Sequence, residues 1–129
     1  IARENLHRLT KERLEGPADL AAEGLSPSTA RYDRMVKLVE YATAGVPECW
    51  FVDPRPRHQP FELFFRGAGE RYDSMPPDAD GRYHSIVVPG FWIDPAWLLA
   101  DPLPKPIDAL MQIAGDEFFE MVRDRRTRN

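Results

Sequence analysis

One carboxylate in this chain sits where a carboxylate needs a reason. Glu23 interrupts the apolar run Leu20-Ala21-Ala22-Glu23-Gly24-Leu25, which Ser26-Pro27 then stops. An isolated carboxylate in the middle of a sheet loses much of its hydration energy, so it must be paired, bound to a metal, or placed where the strand opens to solvent. The next segment offers partners. Asp33, Lys37 and Tyr41 recur every four residues, and on a helix that spacing lines an acid, a cation and a phenol along one stripe. The same spacing also suits a solvated ion pair between Asp33 and Lys37, a surface feature with no chemistry. Both readings stand on spacing alone.

The elements that must position these groups can be read outward from Glu23. A short strand from Leu20 to Leu25 gives way at Ser26-Pro27 to helical spacing that ends at Gly45. On that helix Met35, Leu38, Val39 and Ala42 form an apolar stripe expected to face the sheet. Cys49 to Val52 is a second strand, stopped by Asp53-Pro54. A strand, helix and strand at this spacing is a βαβ-like unit with a buried, parallel strand pair. Ligands of open α/β sheets gather at the C-terminal ends of such strands, where Glu23 lies.

These residues carry a resemblance. Ala18-Asp19-Leu20-Ala21-Ala22-Glu23-Gly24-Leu25-Ser26-Pro27-Ser28-Thr29, then Asp33, Lys37 and Tyr41, then Gly45-Val46-Pro47-Glu48-Cys49-Trp50-Phe51-Val52-Asp53-Pro54 resemble, in order, the signature of the Uma-type restriction endonucleases, a branch of the PD-(D/E)XK nuclease superfamily. Val88-Pro89-Gly90-Phe91-Trp92-Ile93-Asp94 is similar to that family's closing L-P-G-F element. The resemblance implies an α/β restriction-endonuclease-like fold, a mixed β-sheet with packed helices, and a metal-dependent DNA endonuclease. It implies Mg²⁺ or Mn²⁺ as cofactor, with Glu23 as metal ligand and Lys37 as the catalytic cation. Phosphodiester hydrolysis uses a metal to neutralise the phosphate and to acidify the attacking water, and a nearby lysine to orient that water or stabilise the transition state. In the wider superfamily this lysine follows the glutamate by two residues, where Leu25 stands here. Lys37 is its natural replacement.

By the same resemblance, a metal-binding aspartate belongs to a strand upstream of Ile1. The chain is therefore expected to be truncated, to lack its N-terminal helix and strands, and to be inactive as it stands. Asp19 is a poor substitute. On a strand it lies about 13 Å from Glu23, too far to share one ion, and it is expected at a turn or strand entry. The usual V-V-E-V is Ala21-Ala22-Glu23-Gly24 here, with lower strand propensity and smaller side chains. Ser26, Ser28 and Thr29 suit a turn and helix cap better than phosphate contacts.

At 129 residues, 43% hydrophobic and 29% charged, the chain reads as one restriction-endonuclease-like domain over 1–129. It divides into a connector helix over 1–16, a sheet core over 17–94 and a helical part over 95–129. No segment has the apolar length of a membrane span, no leader is evident, and the lone Cys49 fits a reducing cytoplasm and a packing role. A net charge of −4 offers no general attraction to nucleic acid, so DNA binding must rest on a local basic surface.

Leu6, Leu9 and Leu14 suggest a short helix within 3–15 that packs on the sheet. Phe61 to Arg66 and Arg71 to Ser74 frame Gly67-Ala68-Gly69-Glu70 as a hairpin, and Tyr83 to Val88 is expected to extend the sheet. His7, His58 and His84 have no metal-site spacing and are expected at the surface. Asp94-Pro95 opens a short helix at Trp97 to Leu99. Leu110, Met111, Ala114, Phe118, Met121 and Val122 then trace a stripe for the sheet or a second subunit, interrupted by Gly115, before a tail with Arg123, Arg125, Arg126 and Arg128. A non-catalytic binding module or homodimer is the alternative to a nuclease.

Overall fold

The strand sequences alternate, and each of their two faces meets a different cover. The computed structural model describes residues 1–28 and 30–127, with all of their side chains except 30, 31, 33, 116, 118, 119, 121, 122 and 124–127. A four-stranded sheet has the order β1 (Leu20–Gly24), β2 (Glu48–Val52), β3 (Phe61–Arg66), β4 (Tyr72–Met75). β1 and β2 are parallel, joined through helix α1 (Ala30–Ala44), while β2 to β4 are antiparallel. The sheet is therefore mixed and the class α/β. Helix α1 ends where expected: Gly45 has φ 82°, its N–H reaches Ala42 O, and Val46 N reaches Tyr41 O. That is a Schellman stop, which glycine adopts without a Cβ penalty.

Register sorts the two faces. Glu23, Phe51 and Glu62 stand opposite one another across β1, β2 and β3, as do Ala21, Cys49 and Phe64 one step away. These residues share the face under α1. There Leu25, Cys49 and Phe51 form a buried cluster against Leu38 and Tyr41. The opposite face carries Phe61 and Leu63, buried with Tyr83 against Trp50, Val52 and Leu98. Its cover is a ribbon of β5 (Tyr83–His84) and β6 (Trp92–Ile93), followed by helix α2 (Ala96–Leu99). Full burial of each such side chain stabilises by about 1.5–3 kcal/mol.

Four expectations change. Met35 and Val39 are 62% and 63% exposed, so α1 turns only Leu38 and Ala42 of its apolar stripe inward. Arg34, Lys37 and Tyr41 take the inward side because carboxylates on the sheet pair with them. The segment 3–15 is a 3-10 helix over Arg3–Arg8 followed by a turn closed by a Leu9–Leu14 bridge, and it leaves Leu6 and Leu9 exposed. Tyr83 to Val88 does not extend the main sheet. Ile86 N and Val87 N bond to the Glu48 carboxylate and Val88 N to Ser85 Oγ, which bends the chain into a turn. Finally, α3 (Pro106–Thr127) breaks at Gly115, with φ 53° and ψ −140°, and its first half lies beside Phe91, Ile93 and Trp97 instead of the sheet. The side chains of Phe118, Met121, Val122, Arg125 and Arg126 lie outside those described, as do Thr29 and Arg128 altogether. Arg123 is exposed.

Candidate functional site

Glu23 is the fourth residue of β1, close to the strand's C-terminal end and to its open edge, since β1 is the outer strand of the sheet. Tyr41 donates its hydroxyl to Glu23 Oε1, and Lys37 Nζ stands 3.7 Å from the same oxygen. The ammonium also lies over the Tyr41 ring, 5.6 Å from its centroid. Three residues distant in sequence thus converge because a βαβ crossover lays the C-terminal half of α1 over the end of β1. The side chain of Asp33, expected on the same stripe, is outside those described.

The site is half open. The Glu23 and Lys37 side chains are 30% and 40% exposed, enough for solvent to screen their attraction. Tyr41 is pushed up to about 12, first by its hydrogen bond to Glu23 and then by burial and by the Glu23 charge. The phenol is therefore a donor throughout the physiological range and fixes the carboxylate through Oε1. Neither contact uses Oε2. The Cys49 thiol is likewise pushed to about 12, by burial first and Glu23 second, which fits packing and not reactivity.

A second polar group adjoins this one. Across Phe51 from Glu23, Glu62 forms a charge-assisted bond with Arg34 of α1. Burial raises the Glu62 carboxyl, Arg34 lowers it in part, and Asp53 raises it further. At the end of β2, Arg55 clasps Asp53 with Nε at 2.7 Å and Nη2 at 2.6 Å. That grip holds Asp53 down at about 2 even though burial works against it. His58 Nδ1 lies 3.7 Å from Asp53. Leu25, Arg34, Asp53, Arg55, His58, Gln59 and Glu62 line one cleft of about 410 Å³. The sequence marks Asp53 as a strand stop and His58 as a surface residue. The alternation of β3, which puts Glu62 on Glu23's face, was the signal available for this group.

Two other acids have structural duties. Glu48 is fully buried on the opposite face, where its carboxylate accepts from Trp50 Nε1, Ile86 N and Val87 N at 2.6, 2.7 and 3.2 Å. Asp19 accepts from Ala2 N and Asn5 Nδ2. Burial alone would raise its carboxyl, but those bonds and Arg8 lower it. Asp19 ties the N-terminal segment to the entry of β1, as expected of a strand-entry residue.

Residues 1–96 match the family Uma2, described as "putative restriction endonuclease". The chain belongs to the Uma2 family. None of the curated proteins matches it. Uma2 membership and the mixed sheet with its helices together give the restriction-endonuclease-like α/β fold. Membership also implies nuclease chemistry, DNA as the class of partner and, in general terms, a divalent metal. No helix among the described residues is long and apolar enough to cross a membrane.

The donor set of this Uma2 chain fits such a metal in type. Glu23 offers a hard carboxylate oxygen, and Mg²⁺ is commonly held by one or two carboxylates together with water and substrate phosphates. Among the described residues no three His, Cys, Asp or Glu side chains are gathered for a closed protein cage.

Proposed function

We propose that the chain is a metal-dependent DNA endonuclease domain, with Glu23, Lys37 and Tyr41 as its part of the site for phosphodiester hydrolysis. The observation that carries this reading is the convergence of Lys37 and Tyr41 on Glu23 Oε1 at the end of β1. Glu23 would hold Mg²⁺ or Mn²⁺ through its carboxylate. The ion supplies charge neutralisation at the phosphate and a more acidic water. Lys37 places a positive charge beside the phosphate oxygens and stabilises the negative charge that builds there in the transition state. Tyr41 is a positioning residue: its hydroxyl holds the carboxylate in one orientation, and its raised pKa keeps the proton on the phenol.

The test is Mg²⁺- or Mn²⁺-dependent nicking of plasmid DNA, run with the 129-residue chain and with any longer in-frame product. In the form that cleaves, expected to be the longer product, Glu23→Gln should lower nicking by about 100-fold or more, and Lys37→Ala by a similar factor, a size typical of losing one group that acts in the transition state. Full activity in Glu23→Gln would sink the reading.

A non-catalytic binding or homodimerisation module is the second reading. It is favoured by the exposed stripe Tyr32, Met35 and Val39 on the outer side of α1. Inactivity of both forms together with dimerisation in solution would favour it.

A further inference from the structure

The cleft beyond β1 and β2 is lined by two arginines, each held in place by a carboxylate of the same lining, Glu62 for Arg34 and Asp53 for Arg55. Glu62 lies two strands from Glu23 in the same cross-sheet row, roughly 10 Å away at ordinary strand spacing. Arg34, which pairs with Glu62, and Lys37, which pairs with Glu23, are neighbours one turn apart on α1. The cleft and the Glu23 group are thus successive stations along one helix and one row of the sheet.

Each arginine is fixed by a carboxylate and keeps donors unspent. A guanidinium has five N–H donors in a planar fork. Arg34 gives Glu62 a bond from Nη2, and among the described residues no bond uses its Nη1, while its Nε is buried out of reach of the cleft. Arg55 gives Asp53 Nε and Nη2, with Nη2 also 3.5 Å from His58 Nδ1. A guanidinium so buttressed loses little freedom when it takes a second anion, and its fork matches a phosphate.

We propose that this cleft is a phosphate subsite, in which Arg34 and Arg55 take a backbone phosphodiester of a DNA strand flanking the phosphate at Glu23. The proposal rests on the nuclease reading for its partner, and it adds two binding residues outside the Glu23 group. A chain with a net charge of −4 has no general pull on DNA, so its affinity must come from a few such local contacts.

The experiment is fluorescence anisotropy of a labelled duplex with 5′-hydroxyl ends, titrated with the full 129-residue chain over a series of NaCl concentrations. Each lost phosphate contact lowers the slope of log affinity against log salt by about 0.9. Arg55→Gln is expected to show that loss, and so is Arg34→Gln. Because Arg55→Gln strands a buried Asp53, the double variant Asp53→Asn/Arg55→Gln removes the pair together and should show the same loss in a folded protein. An unchanged slope in the folded double variant and in Arg34→Gln overturns the subsite while leaving the nuclease reading to the nicking assay. Absence of any salt-dependent binding by the wild-type chain overturns the subsite and its DNA partner together. Inorganic phosphate at matched ionic strength is expected to compete no better than chloride. Displacement of the duplex by phosphate alone would assign the cleft to a free phosphate and overturn the backbone reading.

Discussion

Glu23 and Glu48 stand on neighbouring strands, one on each face of the same sheet, and they are treated in opposite ways. Glu48 is fully buried, and three N–H donors engage both oxygens of its carboxylate. Glu23 keeps 30% of its side chain exposed, takes Lys37 and Tyr41 on one oxygen and, among the described residues, leaves the other uncommitted. A buried carboxylate with both oxygens bonded to donors of the fold is a structural joint, since a new partner would have to compete with bonds already made. One that is oriented but incompletely bonded can accept a ligand without losing its fold. The difference lies in the cover: backbone amides of a bent turn on one face, two long side chains of a helix on the other.

The comparison breaks most visibly at Glu48. Glu48→Ala removes the acceptor of three part-buried donors; solvent can reach part of that set, so urea unfolding should show a loss of about 1–3 kcal/mol. Glu48→Gln keeps an acceptor and should lose less. Equal stability of Glu48→Ala and wild type would remove the distinction between the two glutamates.

Acid is the next lever, and the two carboxylates of the cleft respond to it with opposite sign. Asp53 is held at about 2 in the folded chain, below the roughly 3.9 of an unfolded aspartate. Its contribution to stability is complete above that unfolded value and is lost as pH falls toward 2. Glu62 is raised instead, so its protonation on acidification favours the fold. Asp53→Asn should flatten the acid limb of a stability-against-pH curve, and Glu62→Gln should steepen it.

At Tyr41 the effect is spectroscopic. The bond to Glu23 is the first cause of its rise to about 12, so Glu23→Gln should let the phenol titrate nearer its ordinary value of about 10, read from phenolate absorbance. No change would mean that the two groups do not touch in solution. The smallest effect belongs to the outer side of α1. Met35→Gln and Val39→Thr should each shift stability by no more than about 0.5 kcal/mol in the monomer. A larger loss would return these two residues to the core.

Much of this was legible because local signals and tertiary packing agreed. The apolar runs around Glu23 and Cys49, the stop at Gly45 and the turn at Gly67-Ala68-Gly69-Glu70 read directly as β1, β2, the end of α1 and the β3–β4 hairpin. The meeting of Glu23, Lys37 and Tyr41 was legible from helical spacing and from the resemblance together. The rotation of α1 was not, because periodicity ranks Met35 and Val39 with Leu38 and cannot anticipate carboxylates under the helix. Nor was the end of β5. Ser85 to Val88 has good strand propensity, and only a buried glutamate thirty-eight residues earlier in the chain draws Ile86 N out of a ladder. The Asp53, Arg55 and His58 group hid in a proline-rich turn whose composition signals a bend and nothing more.

The Glu48 joint also ties a surface turn to the sheet. Ile86, itself 49% exposed, belongs to a surface turn, yet its amide is pinned to a strand at the middle of the sheet. Phe91 beyond that turn stacks on Trp50 of the same strand, with ring centroids 5.6 Å apart. The turn is therefore tied at two points to β2, whose far end leads to Asp53 and whose other face carries Phe51 between Glu23 and Glu62. Contacts thus run unbroken from this surface turn through β2 to the acids on the other face.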